Sequence, residues 1–204
     1  MSYKQHLKKD KTFAVLLQSG AEYEIQKRKH VYLHLCLSIM SQQLSTKVAQ
    51  VFQDRFLALY GKKVPTLQQI ANTPFETLRS IGLSNAKAQY VLNVVNFFID
   101  HKITDAQLYK MSDEAVINLL TQIKGVGRWT VEMLLMFALS HEDVFAVDDL
   151  GLKQAVVKLY VLEHLEPKAL KMKLIEISNR WSPYRTYACL YLWAWKDNTP
   201  ATTK

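Results

Sequence analysis

Ile123-Lys124-Gly125-Val126-Gly127-Arg128 decides how this chain folds. Two glycines one residue apart permit backbone conformations, and a close approach, that a side chain forbids. The residues before the turn, Asp113 to Gln122, and after it, Arg128 to Ser140, place apolar side chains at helical spacing. The segment therefore predicts a helix, a tight turn and a second helix. The first N–H groups of the second helix have no partner within it. Together with the helix dipole they form an anion site suited to one phosphate group. Lys124 and Arg128 add positive charge beside it. A lone Gly-x-Gly is more often a turn without a ligand, so the motif needs support from elsewhere in the chain.

The same helical spacing runs outward in both directions. Helices are predicted over Val31 to Gln42, Ser45 to Tyr60, Leu67 to Ala71, Phe75 to Ser80, Asn85 to Asp100, Asp105 to Lys110, Leu150 to Tyr160, Pro167 to Asn179 and Pro183 to Trp195, with a further amphipathic helix near Lys11 to Leu17. Thr73-Pro74-Phe75-Glu76 has the form of a capping box. Ser112-Asp113-Glu114 offers a cap and an acidic first turn, and Glu166-Pro167 a proline where a helix begins. The six glycines and five prolines fall between the periodic segments, and no hairpin dipeptide appears. The chain is predicted to be all-α. A stretch resembling the hairpin, Leu78 to Ala88 around Gly82, also joins two helices. Only the tail from Asn198 to Lys204 reads as low in complexity.

The 26 lysines and arginines outnumber the 18 acidic residues, giving a formal charge of +8 that points to a polyanionic partner. No segment has the apolar run of a membrane span, and the N-terminal residues lack the apolar core of a secretory signal. Nucleic acid is therefore favoured over a membrane, and an intracellular protein is expected: cytoplasmic or nucleoid-associated in a bacterium, nuclear in a eukaryote. Cys36 and Cys189 lie in apolar helical patterns without metal-ligand spacing, so buried free thiols are expected.

Beyond the hairpin, Asp143-Val144-Phe145-Ala146-Val147-Asp148-Asp149-Leu150-Gly151 carries a short apolar run into two carboxylates, and a helix starts directly behind them. A carboxylate at a helix N-terminus is stabilised as the anion. Such a group suits the stabilisation of developing positive charge and the acceptance of a proton from water. Each aspartate taken alone is equally well an N-cap.

In combination these segments resemble the helix-hairpin-helix, Gly/Pro-Asp superfamily of base-excision DNA glycosylases, and within it the DNA-3-methyladenine glycosylase II family. The resemblance rests on Ser41-Gln42-Gln43-Leu44-Ser45, on Ile81-Gly82-Leu83-Ser84 with Lys87, on the hairpin through Trp129-Thr130, on Asp148-Asp149-Leu150-Gly151, and on Trp181-Ser182-Pro183-Tyr184-Arg185-Thr186-Tyr187. It covers roughly residues 30–195. Lys124 stands where a proline often precedes the hairpin glycine, which leaves backbone phosphate binding intact.

The resemblance implies two helical lobes with a cleft between them, one over residues 30–137 containing the hairpin (about 113–140), the other combining 1–29 with 138–204. It implies a DNA glycosylase acting on alkylated purines in duplex DNA, working as a monomer. Asp149 takes the catalytic position, and Asp148 supports or caps. Trp129, Tyr184 and Met133 match positions lining the base pocket. Gln43, then Leu44, fill the gap left by the extruded base. Lys87, Lys124, Gly125, Gly127, Arg128, Thr130 and Arg185 are the expected DNA contacts. The carbonyls of Thr121, Ile123 and Val126 match a site for Na+ or K+. Relatives that also cut the backbone use a lysine as amine nucleophile where this chain has Trp129. Indole cannot do that chemistry, so no lyase activity is expected, and the cysteine ligands of an iron–sulfur cluster are missing. A glycosylase for uracil, hypoxanthine or an oxidised purine, a noncatalytic DNA-binding module, and a helical scaffold for protein partners are the alternatives. The scaffold needs only the amphipathic helices and leaves the basic charge unexplained.

Overall fold

The computed structural model describes residues 2–198, apart from the side chain of Thr46, and the remaining tail residues lie outside it. Among the described residues the chain is helical, without a strand. In order it forms α1 (Tyr3–Leu7), a 3₁₀ segment (Phe13–Ser19), α2 (Val31–Ser41), α3 (Thr46–Ala58), α4 (Leu67–Ala71), α5 (Phe75–Ser80), α6 (Asn85–Asp100), α7 (Asp105–Leu108), α8 (Asp113–Leu120), α9 (Arg128–Leu134), a π-helical segment (Leu135–Leu139), α10 (Leu150–Tyr160), α11 (Pro167–Asn179) and α12 (Arg185–Asn198). No helix among the described residues is long and apolar enough to cross a membrane. The chain divides into two compact units, one over Lys27–Leu139, the other joining the residues up to Gln26 to those from Ser140 onward.

The central helix of the 27–139 unit is α2. Seven of its eleven residues are buried, Val31, Leu35, Cys36, Ile39 and Met40 among them, as expected of a helix enclosed by others. It packs against α6, whose Ala88, Val91, Val94, Val95 and Phe98 recur at helical spacing, and against α3 and α9. Each large side chain buried in this way stabilises the unit by roughly 1.5–3 kcal/mol. Asp105, at the start of α7, accepts the backbone N–H groups of His30 and Val31 at 2.7 and 3.0 Å. It thereby caps α2 from a distant part of the chain.

The other unit is built around Trp181, which is fully buried and meets Phe13 and Phe145 at centroid distances of 5.2 and 5.8 Å. Tyr160 donates its hydroxyl to Asp10 at 2.7 Å, and Tyr3 stacks on Tyr187 at 4.2 Å. These contacts tie the N-terminal segment to α10 and α12. Cys36 and Cys189 are buried free thiols, and burial pushes the Cys36 thiol well above its usual range.

Three local expectations change. Thr73 does not cap α5: its hydroxyl donates back to Gln69 O at 2.8 Å and meets the Tyr60 hydroxyl, so Pro74 is the N-cap. The second hairpin helix keeps α geometry only to Leu134 and continues as a π turn to Leu139. The N-terminal segment is a 3₁₀ turn over Phe13–Ser19, preceded by α1, whose capping box of Ser2 and Gln5 the sequence reading missed.

Candidate nucleic-acid interface and active-site carboxylate

The hairpin is assembled from three kinds of contact. Ser112 caps α8 by accepting the Ala115 N–H at 3.4 Å. Ile123 and Val126 are buried, and the Val126 N–H donates to Ile123 O at 3.0 Å, closing the turn. Asn93 on α6 donates its amide to Lys124 O at 3.0 Å, fixing the turn from outside. Gly125 has φ +103°, and a Cβ at that residue would fall on the ring of Tyr90. Both the backbone and the space demand glycine there. Gly127 differs. It is the N-cap of α9 at φ −94°, ψ 166°, and a Cβ there would meet nothing within 4 Å. Its exposed side is open to a ligand approaching the first N–H groups of the helix.

The carbonyls of Thr121, Ile123 and Val126 lie in this turn. Neutral carbonyl oxygens are the hard ligands that alkali cations take, and Ile123 O keeps one lone pair after accepting the Val126 N–H. The donor set fits such an ion.

The cationic side chains are used differently from the sequence expectation. Lys124 is exposed beside the turn. Arg128 folds back onto its own unit, pairing with Glu114 at 2.6 Å and with the buried Glu132 at 3.0 Å. Thr130 is 2 % exposed and its hydroxyl accepts the Gln42 amide at 3.1 Å, so its side chain is a strut between the loop after α2 and the hairpin. Lys87 directs two hydrogen bonds inward, to Met40 O at 2.9 Å and Gln42 O at 2.7 Å, which holds the end of α2. Burial lowers its pKa. Arg185, in the other unit, forms a fork with Asp143 at 2.7 and 3.1 Å. Arg128, Thr130, Lys87 and Arg185 thus each bind a carboxylate, amide or carbonyl from elsewhere in their own unit.

The loop after α2 places Gln43 at φ +59°, exposed, with Leu44 half-buried behind it. A non-glycine residue in this region is held there at a cost of about 1 kcal/mol or more. Lys87 is the side chain that secures it, through Gln42 O.

Trp129, the second residue of α9, is 40 % exposed. Met133, one turn further, lines a recess of about 320 Å³ with His34, Leu37, Ser38, Gln53 and Phe137. The volume is in the range of small-ligand pockets. Burial, with Arg28 and His30, lowers the His34 pKa, while Asp105 and the carbonyl of Lys29 act the other way. In the other unit, Tyr184 meets His6 and Tyr187 edge-on at 5.5 and 6.1 Å.

Asp149 is the N-cap of α10. Its Oδ1 accepts the Leu152 N–H at 2.8 Å and the Trp193 indole N–H at 3.0 Å. Asp148 is exposed and pairs with Lys171 at 2.6 Å. The two neighbouring carboxylates thus have separate surroundings. Asp149 is half-buried and fixed by N–H donors; Asp148 is a surface ion. Sequence reasoning missed Trp193, Gln42, Asn93, Asp143 and Tyr90. Each lies 30 or more residues from its partner, so even Gln42 and Asp143, which stand in quoted segments, give no local sign of the contact they make.

Comparison with known proteins supplies the family. The model for the HhH-GPD superfamily of base excision DNA repair proteins matches residues 36–180. The DNA-3-methyladenine glycosylase 1 of Schizosaccharomyces pombe is 36 % identical over 168 residues, 81 % of this chain and 72 % of that protein. The DNA-3-methyladenine glycosylase of Bacillus subtilis is 25 % identical, and the chain spans 55 % of its length. The solved structure of the S. pombe 3-methyladenine DNA glycosylase Mag1 in complex with abasic DNA superposes with a TM-score of 0.87 at 31 % identity, covering both chains fully. With the glycine hairpin in one unit and a helix-capping aspartate in the other, the chain belongs to the HhH-GPD superfamily of base excision DNA repair proteins.

Proposed function

We propose that this protein is a monofunctional DNA glycosylase of base excision repair, which hydrolyses the N-glycosidic bond of alkylated purines such as 3-methyladenine and 7-methylguanine in duplex DNA. The observation that carries the proposal is Asp149, a carboxylate fixed by two N–H donors at the head of a helix.

An alkylated purine bears a positive ring charge. When its bond to C1′ breaks, the electron pair passes to the ring and neutralises it, so the protein need supply no proton. Positive charge then develops on the sugar. The Asp149 carboxylate stabilises that charge and takes a proton from the water whose oxygen bonds to C1′. The products are the free base and an abasic site. Trp129 has no amine to form a Schiff base, so water is the nucleophile.

The base must leave the stack, at a cost of a few kcal/mol. Gln43, with Leu44 behind it, is positioned by Lys87 to take its place. Trp129 offers an aromatic face to a cationic base, which such faces attract; Met133 and the recess beside it receive its edge. The N–H groups after Gly127 bind a backbone phosphate, with Lys124 alongside. The carbonyls of Thr121, Ile123 and Val126 would hold Na+ or K+, which would supply positive charge beside that phosphate. Damaged duplex DNA is the partner, a monomer suffices, and the site of action is wherever the cell keeps its DNA.

The deciding experiment measures base release from methylated duplex DNA by the wild type and by Asp149→Asn. Release is expected to fall by orders of magnitude while DNA affinity is kept. Full release by the variant would overturn the assignment. A panel containing 3-methyladenine, hypoxanthine, ethenoadenine and uracil fixes the lesion class.

A further inference from the structure

Positive charge is spread unevenly over the 27–139 unit, which holds thirteen lysines and arginines and seven acidic residues. At the end that carries the Gln43 loop and the head of α9, most cations are turned inward. Arg128 pairs with Glu114 and Glu132, and Lys87 donates to Met40 O and Gln42 O. Arg55 donates to Ile81 O at 3.2 Å and Arg79 to Leu83 O at 2.6 Å.

The opposite end of the unit is built differently. The eleven residues of α2 carry the chain there over about 16 Å. Four stretches converge on the head of that helix. Residues 27–30 lead into it, held by the Arg28 N–H on Ala138 O at 2.8 Å and by the Tyr109 hydroxyl on Arg28 O at 2.7 Å. The Tyr32 hydroxyl donates to Pro65 O at 2.7 Å, which brings in the turn after α3. Tyr32 meets Phe98 near the end of α6 at 6.4 Å, and Asp105 brings in α7 by capping α2. Together they present Lys27, Arg28 and Lys29 before α2, Lys62 and Lys63 after α3, Lys102 after α6 and Lys110 after α7. All seven are exposed, and among the described residues none donates to a carboxylate or a carbonyl. Lys27 rests over the ring of Tyr109 at 5.2 Å. Asp100 and Asp105 are the acidic residues in these stretches, and Asp105 is engaged with the N–H groups of α2.

Seven like charges gathered at one end repel one another and do nothing for the fold. A polyanion relieves that repulsion. The composition of the surface selects its kind. A protein partner is anchored by buried aromatic and apolar side chains at the centre of its interface. In these stretches Val64 is the one large apolar side chain that is exposed. Six of the seven cations are lysines, point charges on flexible stems, which meet the regular charge of a DNA backbone without reading its sequence.

We propose that this end of the unit is a second nucleic-acid surface, which grips the backbone of a further duplex segment while the hairpin end holds the damaged one. It takes DNA binding at the hairpin from the reading above and is independent of the chemistry assigned to Asp149. A protein with two such surfaces can pass from one stretch of DNA to another before it releases the first.

The test uses the wild type and one variant carrying Lys27→Gln, Lys29→Gln, Lys62→Gln and Lys63→Gln, with thermal unfolding to show that both are folded. Sedimentation velocity in two colours follows an abasic-site duplex and an undamaged duplex mixed with the protein at low salt. The wild type is expected to form a complex of one protein with both duplexes. The variant is expected to keep its affinity for the abasic duplex within about twofold and to bind the second duplex about tenfold or more weakly. For the second duplex, the slope of log affinity against log salt should fall by about one for each substituted lysine that meets a phosphate. A wild type that never carries two duplexes, two proteins in the complex, or a variant that binds both duplexes normally would each overturn the proposal. Binding of poly-glutamate without a second duplex would overturn it in favour of an acidic protein. If the wild type fails on the abasic duplex yet binds the undamaged one, and the variant does not, the hairpin reading fails and this surface stands.

Discussion

The ring of Tyr90 occupies the place where a side chain on residue 125 would begin. A residue of α6 thus forms the floor of the hairpin turn, and the φ of +103° at Gly125 follows the same contour. The turn is fixed by long-range packing as well as by its own backbone.

Gly125→Ala is therefore expected to lower the unfolding free energy by about 2 kcal/mol or more, from positive-φ strain plus overpacking. Urea denaturation at unchanged slope reads this directly. Adding Tyr90→Ala should relieve the steric part and leave the backbone part, so partial recovery is the expected result.

Gly127→Ala should behave in the opposite way. No atom stands within 4 Å of the added Cβ, and φ is −94°. Stability should change by less than about 1 kcal/mol, while affinity for duplex DNA falls because the methyl obstructs the phosphate. Unchanged affinity would place the DNA backbone elsewhere.

Lys124 and Arg185 separate in a salt titration. Lys124→Ala should reduce the slope of log affinity against log salt concentration by about one. Arg185→Ala should leave that slope alone and cost about 1–3 kcal/mol of stability, because its fork with Asp143 is largely shielded and Asp143 also accepts from Ser182.

Removing the Lys87 ammonium, as in Lys87→Met, leaves Met40 O and Gln42 O without their donor. A loss of about 1–3 kcal/mol is expected. Cleavage by added protease between Gln42 and Leu44 should accelerate, and base release should suffer more than nonspecific DNA binding. A protease pattern like that of the wild type would contradict this role.

His34 gives a pH dependence. Its folded pKa is lowered below the ordinary histidine value by burial first and by Arg28 next. Between the two values the unfolded chain binds more protons, so stability falls as pH drops from the unfolded pKa towards the folded one, and is unaffected above that window. His34→Gln should show a smaller decline in urea midpoint between pH 7 and pH 5 than the wild type. An equal decline would show that His34 does not contribute.

Much of the helical skeleton is legible in the sequence. The bounds of α4, α5, α6, α10 and α11 agree with the periodicity and with the proline at α11, signals that act within a few residues of one another, although Pro74 and not Thr73 heads α5. The boundary of α9 is not legible, since the switch to π geometry at Leu135 leaves no mark in residue type. The candidate site divides in the same way. Asp149 and the glycine pair stand in local motifs. The partners that hold Asp149, Lys124 and Gly125 in place come from α12 and α6, and Arg128, Arg185 and Lys87 read as free cations until their acceptors are seen.

The sequence by itself determined the helices, the glycine turn and the aspartate heading a helix, all products of short-range backbone sterics and hydrogen bonding. Only the tertiary structure decided which cations are neutralised internally, which glycine is needed for space, and that Trp193 donates to Asp149. Those outcomes depend on side chains distant in sequence meeting within about 3 Å, and no spacing along the chain encodes that distance.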